Sequence, residues 1–169
     1  MNIVLIGYRG TGKSTVANLL AQRLHRPVIS TDAEIIAKAG LSIPDIVQQF
    51  GWEHFRELET TICRGVTDQK DLVIDTGGGV ILKDENVAAL KSHGLIFWLT
   101  AEISTIAARI GDDTQRPSLS GAKTFIEEIE EVLHDREPKY RDASDHVVPT
   151  DSLTPEQIVE SILARIPTK

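Results

Sequence analysis

Residues 7–14 carry the most specific chemical pattern in this chain. They read Gly-Tyr-Arg-Gly-Thr-Gly-Lys-Ser and fit G-x-x-x-x-G-K-S, the phosphate-binding P-loop. The apolar run 3–6 precedes the pattern and a helical pattern follows from Thr15, so the strand–loop–helix context of a P-loop is present. Glycines let successive backbone N–H groups turn toward phosphate oxygens, and the positive end of the following helix adds to the attraction. The segment therefore predicts a nucleoside triphosphate site.

Two side chains of this segment are expected to act directly on the triphosphate. Lys13 can reach the outer phosphates, and the Ser14 hydroxyl can bind Mg²⁺, the cofactor that we expect beside ATP as co-substrate. The predicted nucleotide-binding residues of the segment are Gly10, Thr11, Gly12, Lys13, Ser14 and Thr15.

A P-loop alone is compatible with GTPases, transport ATPases and small-molecule kinases. A GTPase also requires the guanine-reading N-K-x-D, which the sequence lacks, although residues 75–78 match the short D-x-x-G pattern. Residues 119–122 bear a faint similarity to the signature of transporter ATPases, but 169 residues leave no room for the rest of that domain. A kinase for a small acceptor fits the length best.

Size and charge narrow the classes of protein further. With 41% of its 169 residues hydrophobic, the chain can form one ordinary domain with a sizeable core. A net charge of −7 and a pI of about 5.2 argue against binding to nucleic acid or to an anionic membrane. The single cysteine, Cys63, fits a reducing cytosol, and we expect it in the core. No apolar run approaches the roughly 20 residues of a membrane span, and no signal peptide precedes the first strand, so we expect a cytoplasmic protein.

Five apolar runs alternate with helical patterns along the chain. Their apolarity is continuous, which is typical of parallel strands buried on both faces. The final helix has a clear start, with Thr154 as N-cap, Pro155 in the first turn and Gln157 in the capping-box position. Strand and helix in alternation predict a single α/β domain. The predicted strands are residues 3–6, 27–30, 72–75, 94–99 and 146–148.

Two segments interrupt the alternation. After the second predicted strand, helical patterns punctuated by Gly40, Pro44 and Gly51 indicate a helical insertion. Later, the polar stretch 111–123 has the composition of a mobile loop that closes over a site as a lid.

Several local patterns converge on one family, and the chain resembles shikimate kinase over essentially its whole length. The resemblance implies a three-layer P-loop kinase fold: a five-stranded parallel sheet flanked by helices, with 31–62 as a helical substrate-binding segment and 111–123 as the lid. It also implies phosphoryl transfer from ATP to the 3-hydroxyl of shikimate, giving shikimate 3-phosphate and ADP in aromatic amino acid biosynthesis. The features that match are the P-loop, Thr31-Asp32, residues 51–59, the glycine run 77–79, Arg116-Pro117, and Arg136 with Tyr140.

The acceptor site implied by the resemblance draws on several parts of the chain. Shikimate is a small carboxylate with three hydroxyls, so its pocket needs guanidinium groups for the carboxylate and acceptors for the hydroxyls. Arg56 and Arg136 would hold the carboxylate, and Glu59, one helical turn from Arg56, would orient that arginine. The glycine run can approach the substrate closely because it has no side chains. The predicted substrate-binding residues are Asp32, Arg56, Gly77, Gly78, Gly79 and Arg136.

The predicted catalytic residues are Asp32, Lys13 and Arg116. Asp32 can accept the proton of the acceptor hydroxyl or hold its oxygen in line with the γ-phosphate, and both roles stay open. A simpler alternative is that Asp32 caps the helix after the second strand. Arg116 resembles the phosphate-contacting arginine of the family, which neutralises charge in the transition state. Arg109, just before the lid, resembles a residue that packs on the adenine and completes the predicted ATP site together with Arg116.

One departure from the family pattern concerns the metal. The family usually has Asp-x-Asp after the second strand, and Ser30 stands in place of the first carboxylate, which helps to hold Mg²⁺. We hypothesise that Asp75, at the end of the third strand, supplies this carboxylate, since Mg²⁺ keeps several waters and needs few protein ligands. The alternative is that Asp75 only caps the following glycine turn.

Other departures are smaller. Tyr8 and Arg9 replace apolar residues of the P-loop, and Ser118 replaces an apolar residue of the lid. No basic residue lies near Ser152, so the backbone of 149–151 would have to contact the nucleotide.

Other functions and partners are weighed on the same residues. One alternative function is a related kinase that acts on gluconate or a nucleoside monophosphate, but residues 51–59 and the triple glycine favour shikimate. The other alternative is a regulatory module that binds a nucleotide without catalysis, and Lys13, Asp32 and Arg116 argue against it. Aromatic residues make up only 5% and no exposed apolar helix is obvious, which favours a monomer.

Overall fold

A parallel five-stranded sheet lies at the centre of the computed structural model, which describes residues 1–111 and 125–167, the side chain of Phe125 excepted. The strand order is β2-β3-β1-β4-β5, and each neighbouring pair is parallel. The sequence predicted this sheet, and the prediction is confirmed with end shifts of one residue. The strands are β1 Asn2–Ile6, β2 Val28–Ser30, β3 Val73–Asp75, β4 Gly94–Thr100 and β5 His146–Pro149.

Helices connect the strands and cover both faces of the sheet. A short 3₁₀ turn, Val80–Leu82, follows β3. No helix within the described ranges is long and apolar enough to cross a membrane. The described helices are α1 Lys13–Leu24, α2 Thr31–Ala39, α3 Ile43–Thr67, α4 Asp84–His93, α5 Ile103–Ile110, α6 Phe125–Ala143 and α7 Pro155–Leu163.

The central strand β1 shows why the molecule has three layers. All five of its residues are buried, and successive side chains point to opposite faces of the sheet. Ile3 and Leu5 join a core with α1 and α7. Val4 and Ile6 join a second core, which includes Cys63 and Leu90 on helices of the other side. Continuous apolarity in the sequence therefore corresponds to burial on both faces.

Cys63 lies in the second core and is fully buried, as predicted. Burial raises the pKa of its thiol to about 12. The thiol therefore stays protonated near neutral pH and acts as a small apolar side chain.

Two helix starts test the expectations about caps. Thr154 Oγ1 accepts a hydrogen bond from the Gln157 N–H, and Gln157 Oε1 accepts one from the Thr154 N–H, so the predicted capping box is confirmed. The expectation that Asp32 caps the helix after β2 is wrong. Ser30 holds the cap position of α2 and accepts a hydrogen bond from the Ala33 N–H at 3.3 Å, which leaves Asp32 inside the first turn.

The stretch between β2 and β3 is helical, and its two helices form a small core of their own. Helix α3 breaks at Gly51, whose φ of 84° and ψ of 168° lie outside the helical region. The break lets the part before Gly51 fold back against α2, where Ile35, Ile43 and Ile46 pack with Phe55. Helices α2 and α3 therefore place side chains near the carboxyl ends of β2 and β3. Apart from Gly111, the predicted lid 111–123 lies outside the described residues.

Candidate active site

The P-loop joins β1 to α1 and holds its own lysine in place. Lys13 Nζ donates hydrogen bonds to the carbonyl oxygens of Gly7 at 2.9 Å and Tyr8 at 3.0 Å. Thr11 Oγ1 donates to the same Tyr8 carbonyl at 2.8 Å. The ammonium is therefore held by two carbonyl oxygens at the start of the loop. A groove of about 670 Å³ runs along this loop and is lined by the predicted residues Gly10, Thr11, Gly12, Lys13, Ser14, Thr15, Asp32, Asp75 and Arg109.

Ser14 and Asp75 meet at the floor of this groove. Ser14 Oγ donates a hydrogen bond to Asp75 Oδ2 at 2.6 Å, across 61 residues of chain. Asp75 is also the register partner of Ser30 on the neighbouring strand β2. Neighbouring strands lie about 4.8 Å apart, so a carboxylate at 75 sits one strand spacing from the position where the family usually has one. The Gly77 N–H donates to Thr31 Oγ1 at 3.0 Å, so this part of the glycine turn is held by Thr31.

A second cavity adjoins the groove on the side of α2 and α3. It is closed by aromatic and apolar side chains and carries charged groups of both signs. Asp32 and Arg9 line both this cavity and the P-loop groove, so the two spaces meet at these residues. The residues that line it are Tyr8, Arg9, Asp32, Ile43, Trp52, Phe55, Arg56, Glu59, Gly77, Gly78, Gly79 and Arg136.

Arg56 is held rigidly by a buried carboxylate. Its Nη1 donates to Glu59 Oε2 at 2.8 Å, and Glu59 is fully buried. The guanidinium also lies over the rings of Trp52 and Phe55, 5.5 Å and 5.0 Å from their centroids. Burial raises the pKa of Glu59, and the Arg56 guanidinium opposes that rise. The predicted orienting contact is present, and because Glu59 is fully buried it is not an ordinary surface ion pair.

The other arginine comes from α6 and supports the glycine run. Arg136 Nη1 donates to the Gly78 carbonyl at 3.2 Å, and the Tyr140 hydroxyl donates to the same oxygen. Tyr140 is buried and stacks on Trp98 with ring centroids 5.6 Å apart. Tyr140 entered the sequence reasoning only as part of a family pattern. The i, i+4 spacing of the two residues, which puts them on one helix face, was the available signal.

The glycine run is close to the charged groups on every side. A Cβ on Gly79 would collide with the Arg56 guanidinium. A Cβ on Gly77 would come within 2.6 Å of Asp32 Oδ1 and 3.2 Å of Glu59 Oε1. Any side chain at Gly77 or Gly79 would therefore displace the groups that line the cavity.

Arg109 links the P-loop to the end of β5. It donates hydrogen bonds to the Gly10 carbonyl at 3.3 Å, to Thr150 Oγ1 at 3.0 Å and to the Thr150 carbonyl at 3.1 Å. The Thr150 carbonyl, part of the backbone 149–151 that was predicted to contact the nucleotide, accepts a hydrogen bond from Arg109. Packing of Arg109 on adenine stays a prediction. Leu153, Pro155 and Ile158 form an apolar wall of the P-loop groove, which was not predicted from the sequence.

Tyr8 and Arg9 line the second cavity, called the acceptor cavity below. The sequence had suggested no role for either residue. Arg9 Nη2 lies 3.9 Å from Glu128 Oε1 on α6, and Glu128 is nearly fully buried. Tyr8 is 2% exposed and packs on Ile106, Ile110 and Ile129. The sequence did give a signal for both residues, because each replaces an apolar residue that is usual in the P-loop. Arg116 and Ser118 lie outside the described residues, so the predicted role of Arg116 stays a prediction.

Within the described residues, no three His, Cys, Asp or Glu side chains gather into a metal-binding cluster. The donor set at Ser14 and Asp75 nevertheless fits Mg²⁺, which prefers oxygen ligands and takes few of them from protein.

The parallel sheet, the P-loop groove and the adjoining cavity with two arginines define a P-loop kinase that acts on a small acidic acceptor. The family model for shikimate kinase matches residues 9–167. The chain belongs to the shikimate kinase family.

Relatives and solved structures agree with that assignment. The chain is 41% identical to a shikimate kinase from Syntrophus aciditrophicus, over 97% of this chain and 90% of that protein. It is 39% identical to a shikimate kinase from Caldicellulosiruptor bescii, over 96% and 94% of the two chains. A shikimate kinase from Acinetobacter baumannii, solved in complex with shikimate, superimposes with a TM-score of 0.91 at 33% identity, over 96% of this chain and 90% of that chain.

Proposed function

We propose that this chain transfers the γ-phosphoryl group of ATP to the 3-hydroxyl of shikimate, releasing shikimate 3-phosphate and ADP in aromatic amino acid biosynthesis. The observation that carries the proposal is the meeting of the two-arginine cavity and the P-loop groove at Asp32. Membership of the family and the shikimate complex of the A. baumannii relative support it further.

Acceptor recognition would rest on charge and shape. Arg56 and Arg136 would bind the carboxylate, since guanidinium groups form paired, charge-assisted hydrogen bonds with carboxylates. Glu59 Oε1 is buried and has no hydrogen-bond partner among residues 1–111 and 125–167, so it can accept a hydrogen bond from a ring hydroxyl. Trp52 and Phe55 would cover the apolar face of the ring. This arrangement suits a small acid with several hydroxyls.

The transfer step needs little covalent chemistry from the protein. A bond forms between the acceptor oxygen and the γ-phosphorus while the bond from that phosphorus to the β,γ-bridging oxygen breaks, and the hydroxyl proton passes to Asp32 or to water. Asp32 is placed to hold the acceptor oxygen in line, because it borders both spaces. Lys13 would neutralise charge on the phosphates, and Arg116 is proposed to do the same from the lid.

Mg²⁺ would be held by Ser14, with Asp75 orienting its outer shell. When bound, the ion would neutralise charge on the phosphates of ATP. Asp75 holds Ser14 Oγ in position from the end of β3, one strand from Ser30. This contact supports the hypothesis that Asp75 takes over the task of the carboxylate absent at Ser30.

A coupled assay of ADP release tests the proposal. Shikimate, gluconate and nucleoside monophosphates are supplied separately as acceptors with ATP and Mg²⁺, and we expect turnover with shikimate at least about 10³-fold above the others. Turnover restricted to gluconate or a nucleoside monophosphate would assign the related kinase instead. Absence of turnover with every acceptor would favour the regulatory module. The cytoplasmic location and the monomeric state stay predictions.

A further inference from the structure

The side chain of Tyr8 is buried at the centre of the P-loop region. It is 2% exposed and packs on Ile106 and Ile110 of α5 and Ile129 of α6. Its hydroxyl oxygen is buried and has no hydrogen-bond partner among the residues that the structure describes. The ring thus makes apolar contacts that a phenylalanine would make equally well.

A buried hydroxyl without a partner destabilises a folded protein, because its hydrogen bonds to water are lost and not replaced. Most buried polar groups in proteins are paired for this reason, and an exception calls for an explanation. A ligand that is present only during turnover would supply the missing partner. The hydroxyl of Tyr8 then costs stability in the free protein and contributes to binding in the complex.

The position of Tyr8 points to the acceptor as that ligand. Tyr8 lines the acceptor cavity together with Gly78 and Arg136. Gly78 lies against the backbone on both sides of Tyr8, since a Cβ on Gly78 would come within 3.4 Å of the Gly7 carbonyl oxygen and 3.5 Å of the Arg9 nitrogen. The Tyr140 hydroxyl and Arg136 both donate to the Gly78 carbonyl. Burial raises the pKa of Tyr140 to about 12, and the neighbouring Tyr8 adds to that rise. Tyr8 therefore lies at the Arg136 end of the cavity, since Arg136 donates to the Gly78 carbonyl.

We propose that the Tyr8 hydroxyl is a further acceptor-binding group, which donates a hydrogen bond to the carboxylate of the acceptor beside Arg136. This inference rests on the proposed function. A phenol is a neutral donor, and a hydrogen bond from it to a carboxylate in a site shielded from water is among the stronger ones in proteins. Tyr8 would thus help the cavity to select a carboxylate in addition to the two arginines.

Tyr8→Phe tests the proposal because it removes one oxygen and leaves the ring. We expect the KM for shikimate to rise about tenfold while kcat stays within about twofold and the KM for ATP is unchanged, since the lost contact serves acceptor binding alone. The midpoint of thermal unfolding of the free protein should stay equal or rise, because an unpaired hydroxyl is gone.

Tyr140→Phe is the matched control, because it removes the same atom from a hydroxyl that is paired with Gly78. We expect its midpoint to fall by about 2–4 °C. An equal fall in Tyr8→Phe would mean that the hydroxyl has a partner within the protein, which overturns the proposal.

A further variant identifies the group that Tyr8 contacts. In an Arg136→Lys background the effect of Tyr8→Phe on the dissociation constant of shikimate, measured by calorimetry, should shrink to about threefold or less, because both side chains act on one carboxylate. A persistent tenfold effect would overturn the carboxylate assignment. An unchanged KM in Tyr8→Phe would overturn this inference alone, whereas a wild-type chain that does not phosphorylate shikimate would overturn the proposed function as well.

Discussion

The P-loop groove and the acceptor cavity are built in opposite ways. The groove depends on a contiguous segment whose lysine and threonine bond to the loop's own carbonyl oxygens. The cavity takes its charged groups from the P-loop, α2, α3 and α6, and Arg136 meets Gly78 across 58 residues of chain. A triphosphate is bound in much the same way by many enzymes, while the acceptor differs among them. Local structure therefore builds the phosphate-binding loop that these enzymes share, and tertiary packing defines the acceptor cavity.

Asp32 is where the two regions meet, and its replacement should have the largest effect. Asp32→Asn keeps the shape of the side chain but loses the charge, so we expect kcat to fall by about 10²–10³-fold with little change in ATP affinity. Steady-state kinetics and nucleotide titration measure both. Glu34→Gln, an exposed change on the same helix, is the matched control and should stay near wild type. A loss of less than about fivefold in Asp32→Asn would mean that other groups align the hydroxyl.

A glycine substitution should disturb the cavity and leave the groove intact. In Gly79→Ala the added Cβ collides with the Arg56 guanidinium, so we expect the KM for shikimate to rise at least about tenfold while ATP affinity is preserved. Gly65→Ala, in α3 with no atom within 4 Å of the new Cβ, is the control. It should keep its KM and gain about 0.5–1 kcal/mol in the free energy of unfolding. Equal KM values for the two variants would contradict the close approach.

A substitution at the predicted metal site of the groove should change the Mg²⁺ dependence of activity, by a smaller factor than the effects above. Asp75→Ser removes the carboxylate that holds Ser14 Oγ, so we expect the Mg²⁺ concentration for half-maximal activity to rise about tenfold. Ser30→Ala should change it less than twofold, although loss of the α2 cap costs about 1 kcal/mol of stability. A Mg²⁺ titration at saturating ATP and shikimate separates the two. An unchanged titration curve in Asp75→Ser would refute the relocated carboxylate.

The buried carboxyl group of Glu59 should make the stability of the protein depend on pH. Burial raises the pKa of Glu59 above its ordinary 4.5, so its folded form favours the proton. The stabilising contribution of this group is present below pH about 4.5 and is lost as the pH rises through the raised pKa. Relative to wild type, the unfolding midpoint of Glu59→Gln should therefore rise by about 2–4 °C between pH 4.5 and 7.5. A constant difference over that range would contradict the raised pKa.

The fold was largely predictable because its signals are local. Runs such as 94–99 are short and apolar without alternation, which is typical of strands buried on both faces. Thr154 and Gln157 predicted the start of α7 because a capping box is formed by two residues three positions apart. Asp32 was offered as a cap for the same local reason, but the competing oxygen of Ser30 lies two residues earlier and takes the position.

The candidate site was predictable only as a set of residue types. The motif and the family pattern identified Lys13, Asp32 and the arginines, since their spacing along the chain is enough for that. Only the folded chain buried Glu59 beside Arg56, placed Asp75 opposite Ser30 on the neighbouring strand and buried the Tyr8 hydroxyl without a partner among the described residues. Burial, cross-strand register and charge environment depend on elements distant in sequence, and they determine what each side chain can do.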